Sequence, residues 1–147
     1  MKWWSSLGSA GFLAGLVVTL GACVPQPGHA ALTLEGDRSG NAAGPGVTCP
    51  HVTSVSATWM WSGSVGGRAV SITAAALNAS GIPSALLINS ENTSWQAAAP
   101  GQASPEFGVF TARVEEGKVL HIDGIAKSQS QGTGPIKIRG AMRCPLD

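Results

Sequence analysis

The sequence predicts an all-β protein: a single antiparallel β-sandwich or curved sheet, with one disulfide and room for one short helix. Three observations point there. Short segments alternate apolar and polar residues with period two, which turns one face of a strand to a core and the other to water. Turn formers separate these segments; 20 glycines and 9 prolines are enough to punctuate many short strands. Two cysteines, Cys49 and Cys144, stand near the two ends of the strand-rich part.

Taken in order, residues 31–35 read as the first strand. Residues 36–41 and Gly44-Pro45-Gly46 read as turn and loop, and Val47-Thr48-Cys49 as a short second strand. The clearest alternation covers 53–62, where Val55, Ala57, Trp59 and Trp61 share one face and Ser54, Ser56, Thr58 and Ser62 the other. Residues 63–67 form a turn, and 68–73 begin a strand with Val70 and Ile72 on one side. Residues 74–79 fit either its continuation or a helical turn. Residues 84–89 are short, apolar and follow Pro83, which favours strand over helix. Two prolines mark 97–105 as an exposed loop. Residues 107–114 and 119–126 are strands joined by a turn at 115–118; in the second, Leu120 and Ile122 oppose His121 and Asp123. In 135–144, Ile136, Ile138, Met142 and Cys144 face the core, opposite Lys137, Arg139 and Arg143.

The N-terminus has a different character. Lys2 gives a small positive region, and residues 7–20 are apolar or small without a charge. The run is short for a membrane span, which takes about 20 apolar residues. This is the layout of a secretory signal peptide. Its end, Leu20-Gly21-Ala22-Cys23, resembles a bacterial lipobox. In signals of that kind the cysteine sulfur receives a diacylglyceryl group, and cleavage makes the cysteine the new N-terminus. The expected organisation is a lipoprotein signal peptide over 1–22, the lipidated Cys23 and a short tether over 23–30, and a β domain over 31–147. The expected address is the extracytoplasmic face of the cell membrane, with acyl chains on Cys23 as the membrane contact. An ordinary signal peptide with an unmodified cysteine, or a retained anchor helix, are the alternatives. The tether, with Pro25, Pro27 and Gly28, reaches roughly 20 Å when extended.

With Cys23 carrying lipid, Cys49 and Cys144 remain as one pair, and outside the membrane a disulfide is the default for them. Two separate buried thiols are the alternative. The formal net charge of +1 falls to about zero once Lys2 leaves with the signal. No strong field then draws nucleic acid, and no nucleic-acid-binding motif is present.

Catalytic patterns are thin. Ser64 has Gly66 two residues on, but Ser62 stands where the first glycine of Gly-x-Ser-x-Gly belongs. His121 and Asp123 share a strand face, yet His29 and His51 lie elsewhere in the chain, so spacing yields no three-ligand metal set. The expectation is no enzyme, no cofactor and no metal. Trp59 and Trp61 either anchor the core or stack on a sugar or lipid. Trp95 is a core lid or an exposed contact. These three are the candidate ligand-contact residues. Lys137, Arg139 and Arg143 form a basic stripe that either protects a sheet edge or touches acidic lipids, glycans or a partner.

Five segments together resemble a known family. They are Leu20-Gly21-Ala22-Cys23, Leu32-Thr33-Leu34-Glu35-Gly36-Asp37, Val47-Thr48-Cys49, Gly117-Lys118-Val119-Leu120-His121-Ile122-Asp123-Gly124-Ile125-Ala126 and Met142-Arg143-Cys144. In that arrangement the chain resembles the mycobacterial LpqH-type lipoprotein antigens. The resemblance covers both ends of the mature chain, while the middle, with Trp59, Met60 and Trp61, departs from it. It implies an actinobacterial surface antigen without catalysis, whose acylated N-terminus a host receptor senses. Display, binding or host interaction by a lipid-anchored β domain is therefore the leading expectation. A small-ligand carrier for lipid or glycan, and a phage-exclusion lipoprotein, are the alternatives.

Overall fold

Period-two alternation decides which side of each strand turns inward. In the computed structural model, which describes residues 28–49, 57–77, 80–102 and 104–145, nine such strands join in one sheet. They are β1 (His29–Gly36), β2 (Gly40–Pro45), β3 (Ala57–Val65), β4 (Arg68–Ala76), β5 (Ala85–Ser90), β6 (Thr93–Ala98), β7 (Gly108–Glu115), β8 (Val119–Ala126) and β9 (Ile136–Arg143). The spatial order is β2-β1-β9-β8-β7-β6-β5-β4-β3. All neighbours are antiparallel except β6 and β7, which run parallel over two pairs, Ala97 with Gly108 and Ala98 with Val109. Just beyond β2, Thr48 exchanges backbone hydrogen bonds of 2.8 and 3.0 Å with Met60 of β3. That bridge curls the sheet almost shut, so the two faces become the inside and the outside of a barrel.

The inside is packed. Leu32, Leu34, Trp59, Trp61, Ile72, Leu86, Ile88, Trp95, Phe110, Leu120, Ile136 and Ile138 are all buried there. Each fully buried aliphatic side chain contributes about 1.5–3 kcal/mol, set against the entropy of ordering the chain. Large rings sit over small residues. Trp59 lies in register with Ala74, and a Cβ on Gly63 would strike the ring of Trp61. Phe110 faces Gly124, where a Cβ would meet its backbone. In a tightly curved wall, a strand glycine is where another group comes close.

Strand direction sorts the connections to two ends. Gly28, the loop after Pro45, the β4–β5 and β7–β8 connections and the Cys49–Cys144 disulfide gather at one end. The disulfide joins Cα atoms 5.7 Å apart across a sequence separation of 95. At the other end lie the β1–β2, β3–β4 and β5–β6 turns and the β8–β9 loop. There Arg38 folds across the barrel with its side chain 11% exposed. Its Nε donates to Ser90 Oγ at 3.1 Å, its Nη1 pairs with Asp37 at 3.2 Å, and its guanidinium stands 5.1 Å from the Trp95 ring. Trp95 Nε1 in turn donates to the Gly134 carbonyl at 2.9 Å. One charged side chain thus ties the β1–β2 turn to β5 and β6.

Several sequence expectations change. The all-β class and the disulfide stand, and of the two expected architectures the curved sheet is the one formed, curled almost shut. Residues 40–41 and 44–45, read as turn and loop, join with Ala42 and Ala43 as β2; their ladder to β1 comes from backbone groups and needs no strand-favouring side chains. Val47-Thr48-Cys49 makes a single bridge instead of a strand. Strand β1 begins at His29, inside the stretch assigned to the tether. The turn after β3 shrinks to Gly66-Gly67. Residues 74–76 continue β4, so no helical turn forms there. Strand β6 was missed, because only Trp95 and Ala97 face inward from a polar stretch. The signal, Cys23, the tether up to residue 27, His51, Val55 and residues 78–79 lie outside the described residues. Among the described residues there is no helix long and apolar enough to cross a membrane.

Candidate functional site

The outer face of β7, β8, β9 and β1 carries most of the outward-pointing charge. Register builds it row by row. One row runs Arg113, His121, Ala141, Ala31, and the next runs Thr111, Asp123, Arg139, Thr33. The two alanines of the first row are too small to fill the wall beside His121. They leave a depression of about 580 Å³, open to solvent, rimmed by Arg113, His121, Asp123 and Arg139. Gly140 passes beneath it with φ of 139°, and a Cβ there would collide with the Ala31 carbonyl.

A hydrogen bond and an ion pair organise the rim. His121 Nε2 lies 2.9 Å from Glu115 Oε2, and Arg139 Nε lies 3.5 Å from Asp123 Oδ2. The hydrogen bond to His121 holds the Glu115 carboxyl below its ordinary value, helped by the charges of His121, Arg113 and Arg143. Arg113 makes no ion pair within 4 Å among the described residues. A surface on which the guanidinium groups of Arg113 and Arg143, without an ion pair among the described residues, stand beside the exposed Arg139–Asp123 pair is suited to recognising a charged partner by complementary potential.

The predicted residues separate. His121, Asp123 and Arg139 come together on this face, with Lys137 one row beyond and Arg143 at its margin. The edge-protection reading of the basic stripe does not hold, because β9 is paired on both sides, by β1 and β8. Trp59 and Trp61 are 2% exposed and Trp95 is fully buried, so none shows a ring face to solvent. Nε1 of Trp59 and of Trp61 is buried without a hydrogen-bond partner among the described residues. Among the described residues no group of three His, Cys, Asp or Glu side chains could hold a metal ion. Arg113 and Glu115 were missed as site residues. Their signal is the same period-two spacing that places His121 and Asp123, read across the next hairpin. Arg38 was read only as turn material, and no local pattern marks its long reach. No family model, curated protein or solved structure matches this chain.

Proposed function

We propose that the chain is a lipid-anchored surface lipoprotein, held at the extracytoplasmic face of the cell membrane by acyl chains on Cys23, whose β domain binds a partner. The observation that carries this reading is the N-terminal sequence, with Lys2, an uncharged apolar run and Leu20-Gly21-Ala22-Cys23 in succession. The Cys49–Cys144 bridge supports it, since disulfides persist where the setting is oxidising. Two or three acyl chains give stable anchoring where one is marginal. Of the segments that resemble LpqH-type antigens, 32–37 lies mainly on β1, 117–126 on β8 and 142–144 at the end of β9, and they favour a displayed, non-catalytic role. The charged face over β7, β8, β9 and β1 is the surface we assign to a host receptor or other surface partner.

The test is the intact mass of the protein from the membrane fraction, together with a Cys23→Ala variant. The expected mass is that of a chain starting at Cys23, plus acyl groups, with Cys49 and Cys144 oxidised. The variant is expected in the soluble fraction or misplaced. A variant as firmly membrane-bound as the parent overturns the reading. The apolar outer groove of about 430 Å³ over Thr73, Leu87 and Phe107 favours a second reading, a small-ligand carrier that does not use the buried Trp59 and Trp61. Native mass spectrometry showing a co-purifying lipid or glycan would select it.

A further inference from the structure

Five large apolar side chains are exposed among the described residues: Met60, Leu77, Ile82, Val109 and Ile125. Val109 and Ile125 cover each other as cross-strand partners on the wall. Leu77 and Ile82 do not; at 69% and 46% exposed they flank the β4–β5 connection at the barrel end where Gly28 begins. Met60, 44% exposed, lies on the outer side of β3 near that end. Between Leu77 and the wall runs a groove of about 430 Å³, lined by Thr73, Leu77, Leu87, Gln96, Ala98 and Phe107, with no charged residue in its lining. The other outer wall is the charged face described above. The β4–β5 sector of that end is therefore an apolar, uncharged rim, while the β7–β8 turn at the same end carries Glu116 and Lys118.

We propose that this rim, with Leu77 and Ile82 at its tip, docks on the lipid bilayer. The proposal rests on the lipid-anchor reading above. A bilayer is the occupant because of where the chain enters the domain. Cys23 lies five residues before Gly28, so an extended tether spans no more than about 18 Å. Acyl chains on Cys23 hold the Gly28 end against the membrane surface, and Leu77 and Ile82 stand at that same end. Tethering turns their contact with lipid into an intramolecular event, so a weak apolar contact suffices. Entry into the interfacial zone removes apolar surface from water, and the uncharged lining spares the cost of desolvating charge. Docked so, the domain stands with its sealed Arg38 end outward and its charged wall beside the membrane, open to a partner approaching along the surface.

The test uses the mature lipoprotein in phosphatidylcholine–phosphatidylglycerol vesicles with brominated acyl chains. Leu77→Trp reports on the rim, and Asn92→Trp, on the β5–β6 turn at the opposite end, is the control. The expected result is a blue-shifted emission from Leu77→Trp that brominated lipid quenches, with the added emission of Asn92→Trp unquenched. A second measurement needs no substitution: amide exchange in peptides holding Leu77 and Ile82 should slow on vesicles relative to the Cys23→Ala protein in solution. If the protein pellets with vesicles yet Leu77→Trp is quenched no more than Asn92→Trp and exchange is unchanged, docking is overturned and anchoring stands. If the mature protein carries no acyl group and does not pellet, the anchor reading fails and docking falls with it.

Discussion

Strands β3–β6 and the group β7, β8, β9, β1 and β2 build one barrel from opposite kinds of contact. In the first, each strand pairs with the next in sequence, and two of the three connections are two-residue turns at Gly66-Gly67 and Glu91-Asn92. In the second, β1 must find β9, so that His29 pairs with Arg143. The local group carries the three buried tryptophans Trp59, Trp61 and Trp95 and the apolar outer groove. The non-local group carries the close-approach glycines Gly124 and Gly140 and the charged outer face. Local pairing closes small loops cheaply, whereas β1–β9 pairing carries a larger loop-closure cost. The disulfide sits where that cost is greatest. The two groups meet at narrow seams, the two-pair β6–β7 ladder with the adjoining Gln96–Lys127 bridge and the Thr48–Met60 bridge. The charged face thus depends on the strands whose pairing is hardest to form, and the seams decide whether the two groups act as one unit.

Removing the disulfide should have the largest effect on this contrast. Replacing Cys49 and Cys144 by alanine frees a loop spanning a sequence separation of 95; chain entropy sets the loss at about 4–5 kcal/mol, read as a fall in the urea midpoint. Hydrogen exchange should then quicken first in β1, β8 and β9. Equal quickening in β3–β6 would show a single cooperative unit and erase the distinction.

Trp95 is the next lever, because it belongs to the local group but bonds across the seam to Gly134. Trp95→Ala should cost about 3–5 kcal/mol from lost packing. A sharper comparison pairs Trp95→Phe with Trp61→Phe. The first breaks a buried hydrogen bond worth about 1 kcal/mol, while the second removes an N–H that has no partner. Chemical denaturation should rank Trp95→Phe as the less stable; the reverse order would mean that the bond to Gly134 contributes nothing.

Arg38→Ala should cost about 1–2 kcal/mol, since it removes a charge-assisted hydrogen bond to Ser90 and a cation–π contact with Trp95. Arg38→Lys should restore only part of this, because an ammonium lacks the guanidinium fork. Thermal melts of the two variants check it, and equal stability for all three proteins would leave that end of the barrel held by packing alone.

The smallest effect lies on the charged face. The carboxyl of Glu115 is held below its ordinary value of 4.5 by His121. Its pairing is therefore intact above that value and fades as pH falls through the lowered one. His121→Ala should raise the Glu115 titration midpoint toward the ordinary value, followed by carboxyl NMR. An unmoved midpoint would assign the shift to Arg113 and Arg143 instead.

Much of this was legible. The strand over 119–126 was legible with its bounds and both faces, because Leu120 and Ile122 alternate with His121 and Asp123. The pairing of Cys49 with Cys144 followed from setting Cys23 aside. Strands β2 and β6 were not legible. Gly-Asn-Ala-Ala-Gly-Pro has no strand-favouring side chains, and Thr-Ser-Trp-Gln-Ala-Ala has one large apolar residue. Both exist because a neighbour presents a hydrogen-bonding edge, and that neighbour is a matter of tertiary structure.

By itself the sequence determined the class of fold, the inward face of most strands and the cysteine pair. Each of these depends on residue type at short spacing, which side-chain chemistry and a period of two make readable. Only the tertiary structure decided that the sheet curls shut, that β9 lies between β1 and β8, that three tryptophans point into the barrel, and that Arg113, His121, Asp123 and Arg139 share one depression. Those facts depend on which strand pairs with which and in what register. A hydrogen-bond ladder joins backbones whatever their side chains, so its partner is settled by the closure of the whole core.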